Sequence, residues 1–319
     1  MFKVTSRWPH QDSIKIEWNL GKRCNYDCSY CPAIIHDNHS PHTDINILES
    51  TVDKLCELGK PLRISLTGGE PCVHPDIEDL LEYFKRKDIS WVNLTTNGTR
   101  GYRWYLDNEI FYNHLVFSLH FEQDWTRIFD TIMKFYDSTE REFFVNIMAH
   151  HKYMHNVKVV VKKFDEIGIK YAIRRIRWTE GDHNVFDDMR YEGNDLGWIL
   201  ANDATVTPNT IIFKDKTEQL YHANDVIKLH LNKYNGWTCN AGIESLMINW
   251  DGDVHRATCR VGGSLGNIYE GNFVAPREPV TCDRNFCTCA ADIPLTKLAP
   301  QQVIPIQPEW PTGQDAVHP

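Results

Sequence analysis

Three cysteines fall within eight residues, Cys24-Asn-Tyr-Asp-Cys28-Ser-Tyr-Cys31, and five more gather further on as Cys239, Cys259, Cys282, Cys287 and Cys289. Cysteines two or three residues apart bring their sulfurs to one metal centre when the chain turns between them. A structural zinc ion wants four protein ligands, and His36 and His39 are the residues near the triplet that could complete such a set. A 4Fe–4S cluster held by three thiolates instead keeps one iron open, and an open position is what separates a reactive metal site from a structural one. Cys56 and Cys72 stand apart from both groups and read as small packing residues.

The totals set the compartment and the partners. Ten cysteines in a chain with no apolar run near its start point to metal or redox chemistry in a reducing cytoplasm rather than to a disulfide framework. No window approaches membrane-spanning length, so no membrane partner is expected. A formal charge of −9 argues against a strongly basic nucleic-acid binder. A length of 319 residues suits one large α/β domain with a smaller appendage.

Between residues 14 and 178, short β-branched segments alternate with helical patterns. The strands are expected at "SIKIEWNL", "LRISLTGG", "WVNLTTNG", "HLVFSLHF", "FFVNIMAH" and "KYAIRRIRW". Apolar residues at helical spacing lie between them: Ile77, Leu80, Leu81 and Phe84; Phe129, Ile132, Met133 and Tyr136; Val157, Val160, Val161 and Phe164, with Gly168 at the expected C-cap. Six strands alternating with helices predict a parallel sheet that gathers ligands at the carboxyl ends of its strands. The cysteine triplet follows the first strand, "TGGEP" the second and "TTNGT" the third. Residues 1–178 therefore form the expected sheet domain, 179–236 a connecting or lid segment, 237–297 a compact cysteine-rich unit with a hairpin at "NWDGDV", and 298–319 an extended proline-rich tail.

CxxxCxxC after the first strand, an aromatic residue (Tyr30) before its third cysteine, and Gly68-Gly69-Glu70 after the second strand together resemble the signature of radical S-adenosylmethionine (radical SAM) enzymes. The resemblance implies an α/β partial (βα)6 TIM-like barrel followed by a small α+β auxiliary-cluster domain. It also implies that Cys24, Cys28 and Cys31 hold a 4Fe–4S cluster whose open iron chelates the amine and carboxylate of S-adenosyl-L-methionine. Reductive cleavage then yields a 5′-deoxyadenosyl radical that abstracts hydrogen from an unactivated carbon, which makes the expected activity that of an oxidoreductase or C–H modifying enzyme. Cofactor contacts are implied for Tyr30, Gly68, Gly69, Glu70, Asn97, Ser118, His120 and Asn146. The glycines would allow close backbone approach and the Glu70 carboxylate would accept from an ammonium.

The second cysteine group, with "GNIYEG" between its parts, resembles the auxiliary domains called Twitch and SPASM. Five cysteines cannot fully ligate two cubes, so the count implies two 4Fe–4S clusters in all, one of them auxiliary. Cys239, Cys259, Cys287 and Cys289 are the first choice of ligands, with Cys282 able to replace one of them. On the sixth strand, period two puts Arg175 and Arg177 on one face and Arg174 and Trp178 on the other; Arg175 and Arg177 are taken as the pair that meets a carboxylate or phosphate of the cofactor or substrate. Expected partners are a one-electron donor such as flavodoxin or ferredoxin and a small-molecule or peptide substrate. The short stretch before the first strand leaves little room for a leader-peptide domain and shifts weight to a small molecule. A non-catalytic zinc protein or an iron–sulfur electron carrier is the competing reading.

Overall fold

A computed structural model describes residues 3–5, 12–176, 190–202, 208–212 and 217–300. Arg177, Trp178 and residues 301–319 of the expected tail lie outside the described residues.

The chain opens with β1 (Lys3–Thr5), and then six strands alternate with helices. These are β2 (Ile14–Asn19), α1 (Ile45–Cys56), β3 (Leu62–Thr67), α2 (Ile77–Arg86), β4 (Trp91–Thr96), α3 (Tyr102–Asp107), β5 (His114–His120), α4 (Trp125–Ser138), β6 (Phe144–Ala149), α5 (Met154–Ile167) and β7 (Tyr171–Arg175). Strands β2 to β7 pair in sequence order, all parallel, as the alternating pattern predicts. One face of this sheet is apolar: Ile16, Ile64, Leu66, Leu94, Phe117, Leu119, Val145 and Ile147 are buried there together with the inward faces of the helices. Helix α2 contributes Ile77, Leu80, Leu81 and Phe84, while α5 contributes Val157, Val160, Val161 and Phe164 and ends on Gly168 in the left-handed region (φ 80°). Only glycine adopts that conformation without strain, so the helix stops there.

Helix α4 differs from its expected face. Its buried residues are Ile128, Thr131, Ile132 and Phe135, one position off the stripe through Phe129 and Met133. The second stripe serves a neighbouring helix: the Phe129 ring lies 5.8 Å from that of Phe164, and the exposed Tyr136 donates its hydroxyl to Ile167 O at 2.8 Å.

Beyond β7 come α6 (Asp195–Asn202), β8 (Pro208–Ile212), β9 (Glu218–His222), α7 (Ala223–Lys228), β10 (Thr238–Cys239), β11 (Ser245–Ile248), β12 (Asp253–His255), β13 (Ser264–Asn267), β14 (Val280–Thr281) and β15 (Lys297–Leu298). The hairpin at "NWDGDV" is present as β11–β12, with Gly252 at φ 85°, but residues 237–297 are not a sheet of their own. Strand β11 pairs in parallel with β2, and β12 and β13 follow, so the large sheet has nine strands in the order β13-β12-β11-β2-β3-β4-β5-β6-β7. Strands β10, β14 and β15 join β1, β8 and β9 in a second, six-stranded sheet. The physical reason lies at β2, whose outer edge would otherwise be an open row of backbone donors and acceptors; β11 covers it and buries Leu246 and Ile248 in the main core. Leu246→Ala should therefore cost about 2–5 kcal/mol of the stability of the sheet domain as a whole. Chemical denaturation followed by far-UV circular dichroism checks this, and a loss confined to a separate minor transition would contradict it.

Candidate metal and cofactor site

The loop between β2 and α1 carries the triplet, and backbone contacts fix its position. Gly69 N donates to Gly21 O at 2.7 Å and Glu70 N to Arg23 O at 2.9 Å, while Leu20 N donates to Thr67 O at 2.8 Å. A Cβ on Gly69 would lie 2.3 Å from the carbonyl oxygens of both Lys22 and Arg23, and one on Gly68, whose φ is 128°, would lie 2.6 Å from Gly21 O. The two glycines thus admit the cysteine loop's own backbone.

Glu70 is likewise engaged within the chain. It is buried, and its Oε1 accepts from Cys72 N (2.9 Å) and Thr96 Oγ1 (2.7 Å) while its Oε2 accepts from Asn97 N (2.6 Å). Burial pushes its carboxyl above the ordinary value against the pull of these bonds. The carboxylate ties the end of β3 to the end of β4 through these three bonds.

Cys24 and Cys28 are buried and Cys31 is half-buried. Donors converge on the sulfurs: Tyr26 N and Asn97 Nδ2 lie 3.4 and 3.9 Å from Cys24 Sγ, and Gln123 Nε2 lies 3.7 Å from Cys28 Sγ. Burial pushes the Cys24 thiol up to about 12 and the Cys31 thiol up to about 11, and the neighbouring sulfurs add to each shift. Burial raises all three thiols, and a metal centre would offset that cost by binding them as thiolates. The N–H donors suit thiolates bound in an iron–sulfur cluster, whose sulfurs take hydrogen bonds from the surrounding chain. This donor set fits a 4Fe–4S cluster. His36 Nε2 donates to Tyr26 O at 2.6 Å, so that nitrogen is not a ligand.

Tyr30 and His120 adjoin the triplet. Their rings stack at 6.0 Å, and Tyr30 Oη lies 2.6 Å from His120 Nδ1. Burial pushes the Tyr30 phenol up and His120 down to about 4, so the hydroxyl keeps its proton and donates it to a neutral imidazole. His120 Nδ1 is also 3.6 Å from Cys28 Sγ. Asn97 joins the loop through Asn25 Oδ1, to which its Nδ2 donates at 2.8 Å.

Ser118 stands opposite Asn146 in the β5–β6 register, and Asn146 opposite Ala172. This row lies on the polar face of the sheet, across from the helix-covered face. Arg174 belongs to it and donates Nε to Asn146 Oδ1 at 2.8 Å. Arg175, chosen from the sequence, falls instead on the face of the buried Ile173, because the register places Arg174 opposite Met148 and Arg175 opposite the buried Ala149. Sequence reasoning also missed Glu122, which accepts from Ser29 N (2.8 Å), Ser29 Oγ (2.7 Å) and the buried His150 Nε2 (3.0 Å). Glu122 clamps the loop from the opposite side to Glu70, and its only signal was a carboxylate just past the end of the fifth strand. Cys72 is buried in the main core and Cys56 packs against it, as expected of packing residues.

The second cysteine group sits elsewhere. Cys239, Cys282 and Cys287 belong to one buried cluster with Tyr234, and Cys259 packs against it. Asp292 accepts from Cys259 N (3.1 Å) and Thr258 N (3.4 Å), and the buried Lys297 Nζ donates to the carbonyls of Asp292, Ile293 and Leu295 at 2.7, 3.2 and 3.1 Å. Cys289 lies outside that cluster and feels the charge of Lys15 at the start of β2. Lys15 N donates to Glu244 O at 2.9 Å, and Asn240, next to Cys239, donates Nδ2 to Glu244 Oε1 at 2.8 Å. The C-terminal group therefore adjoins the amino end of β2, a strand on the order of 20 Å long at about 3.3 Å per residue, while the triplet follows its carboxyl end.

Comparison with known proteins agrees with this geometry. The family model described as "Radical SAM superfamily" matches residues 18–120. A GTP 3′,8-cyclase of Desulforamulus reducens is 38% identical over 80 residues, 24% of this chain and 24% of that protein. The Fe-coproporphyrin III synthase of Methanosarcina barkeri is 32% identical over 85 residues, 26% of this chain and 21% of that one. The chain thus spans about a quarter of the length of these curated relatives. Among solved structures, native anSMEcpe with bound AdoMet superposes with a TM-score of 0.53 at 16% identity, covering 82% of this chain and 79% of that chain. Streptococcus suis SuiB gives 0.55 at 14% identity over 82% and 64%. At such identities the likeness is one of fold.

Gly69→Ala should displace the Lys22–Arg23 carbonyls and abolish iron binding at the triplet while the protein remains folded. Iron analysis after anaerobic reconstitution, beside a circular dichroism spectrum, reads both; unchanged iron would show that the loop tolerates a side chain there.

Proposed function

We propose that this protein is a radical SAM enzyme with one auxiliary 4Fe–4S cluster. Its cofactors are then S-adenosyl-L-methionine and two 4Fe–4S clusters, one at Cys24, Cys28 and Cys31 and one at the C-terminal group. The observation that carries the reading is the three-thiol loop with N–H donors on its sulfurs, clamped between the Gly-Gly-Glu turn and Glu122 at the carboxyl ends of β2 to β5. When bound, the cluster and S-adenosyl-L-methionine supply a 5′-deoxyadenosyl radical that abstracts hydrogen from an unactivated carbon. The chain's own residues orient and exclude water: Tyr30 and His120 close one side of the triplet, Asn97 and Asn25 another, and Ser118, Asn146 and Arg174 line the polar face where a substrate would lie.

That polar lining favours a small polar molecule over an apolar one, with oxidation or modification at carbon as the outcome; a peptide or protein side chain is the alternative. Flavodoxin or ferredoxin would supply the electron. For the auxiliary cluster, packing around the second core supports Cys239, Cys259, Cys282 and Cys287 as ligands, a different set from the first choice made on sequence. A structural zinc ion at four of these cysteines is the competing reading, and it would bring no iron or sulfide to the C-terminal group.

Anaerobically reconstituted protein should hold about eight irons and release 5′-deoxyadenosine from S-adenosyl-L-methionine after reduction. Each of Cys24→Ala, Cys28→Ala and Cys31→Ala should abolish that release and leave about four irons. Release retained in any of these variants would overturn the assignment, and zinc in place of iron would favour the structural reading.

A further inference from the structure

The C-terminal cysteine group contains a hydroxyl that makes no hydrogen bond among the described residues. Tyr234 is fully buried, and its Oη has no partner among them. Its ring packs edge-on against Trp237 at 5.4 Å and lies 5.0 Å from Lys297 Nζ. The same buried cluster contains Cys239, Cys282 and Cys287, whose charges are the ones that bear on the phenol. Of the neighbouring polar groups, Lys297 Nζ donates to three carbonyls and Asn232 Nδ2 donates to Cys287 O at 3.1 Å, while the buried Asn232 Oδ1, like Tyr234 Oη, has no partner among the described residues.

A buried O–H without an acceptor bears its full desolvation cost, so such groups call for an explanation, and a partner from outside the chain is one of the recognised kinds. Burial also holds the phenol above its ordinary value, which keeps it a donor. The sulfurs of Cys239, Cys282 and Cys287 share its buried cluster and can accept from it. We propose that the Tyr234 hydroxyl donates a hydrogen bond to a sulfur of the cluster held by Cys239, Cys259, Cys282 and Cys287, and so raises the potential at which that cluster accepts an electron.

This rests on the auxiliary-cluster reading given above. Reduction adds negative charge to the cluster and its sulfurs, so a fixed donor stabilises the reduced form more than the oxidised one. The buried Lys297 cation acts in the same direction. Tyr234 is a positioning residue: it acts through the cluster and touches no substrate.

The test is a potentiometric titration, followed by electron paramagnetic resonance, of the anaerobically reconstituted protein. The signal that does not change when S-adenosyl-L-methionine is added belongs to the C-terminal cluster. Tyr234→Phe should keep the full iron content and make reduction of that cluster about tenfold less favourable, a fall of about 59 mV for one electron, with the other signal unmoved. An unchanged potential with about eight irons present overturns the role of Tyr234 and leaves the auxiliary cluster standing. Only SAM-responsive iron in the unsubstituted protein overturns the cluster and this inference together. If Tyr234→Phe loses the C-terminal iron, Tyr234→Met answers the same question; loss from both variants makes the residue a packing element and also overturns the proposal.

Discussion

Gly69 carries no side chain because the carbonyls of Lys22 and Arg23 occupy the space a Cβ would need. That contact, with Gly69 N and Glu70 N donating to Gly21 O and Arg23 O, sets where the chain leaves β2 and hence where Cys24 points. Glu70 extends the constraint by accepting from the backbone of Cys72 and Asn97, so the ends of β3 and β4 move as one piece with the cysteine loop. Glu122 holds the other flank through Ser29. A loop without regular structure is thus fixed on two sides by buried or half-buried carboxylates, which is what a site needs if its ligands are to be rigid before metal arrives.

The sheet gives the site its surroundings. Its apolar face is covered by α1 to α5, while the opposite face presents a polar row through Ser118, Asn146 and Arg174. Closure of the β2 edge by β11 brings the C-terminal cysteines to the amino end of the same strand that delivers the triplet at its carboxyl end. One strand therefore relates the two sulfur-rich sites, and the backbone between them is pinned by ladder bonds on both sides. No helix among the described residues is long and apolar enough to cross a membrane.

Much of this was legible in the sequence because it follows from local periodicity. The β-branched runs of β2 to β7, the α2 and α5 stripes and the Gly168 cap all depend on residues within a turn or two of each other. What was not legible depends on tertiary pairing. The parity of Arg174 and Arg175 is decided by the β6–β7 register, and the separation of Cys289 from Cys282 by which side chains share the second core. The pairing of β11 with β2 joins segments more than two hundred residues apart. The shift in α4 arose because that helix meets both the sheet and α5, so a single-stripe pattern described only one of its two contacts. The contacts that Gly68, Gly69 and Glu70 make with the chain itself also depend on tertiary pairing.

The central claim is that the clamped triplet leaves one iron of a 4Fe–4S cluster open to S-adenosyl-L-methionine. The most direct measurement adds cofactor carrying 15N at its amino group to the reduced protein and reads the 15N hyperfine coupling by pulsed electron paramagnetic resonance. A coupling of the size of a directly bonded nitrogen is predicted. A cluster signal that shows no such coupling would contradict the account.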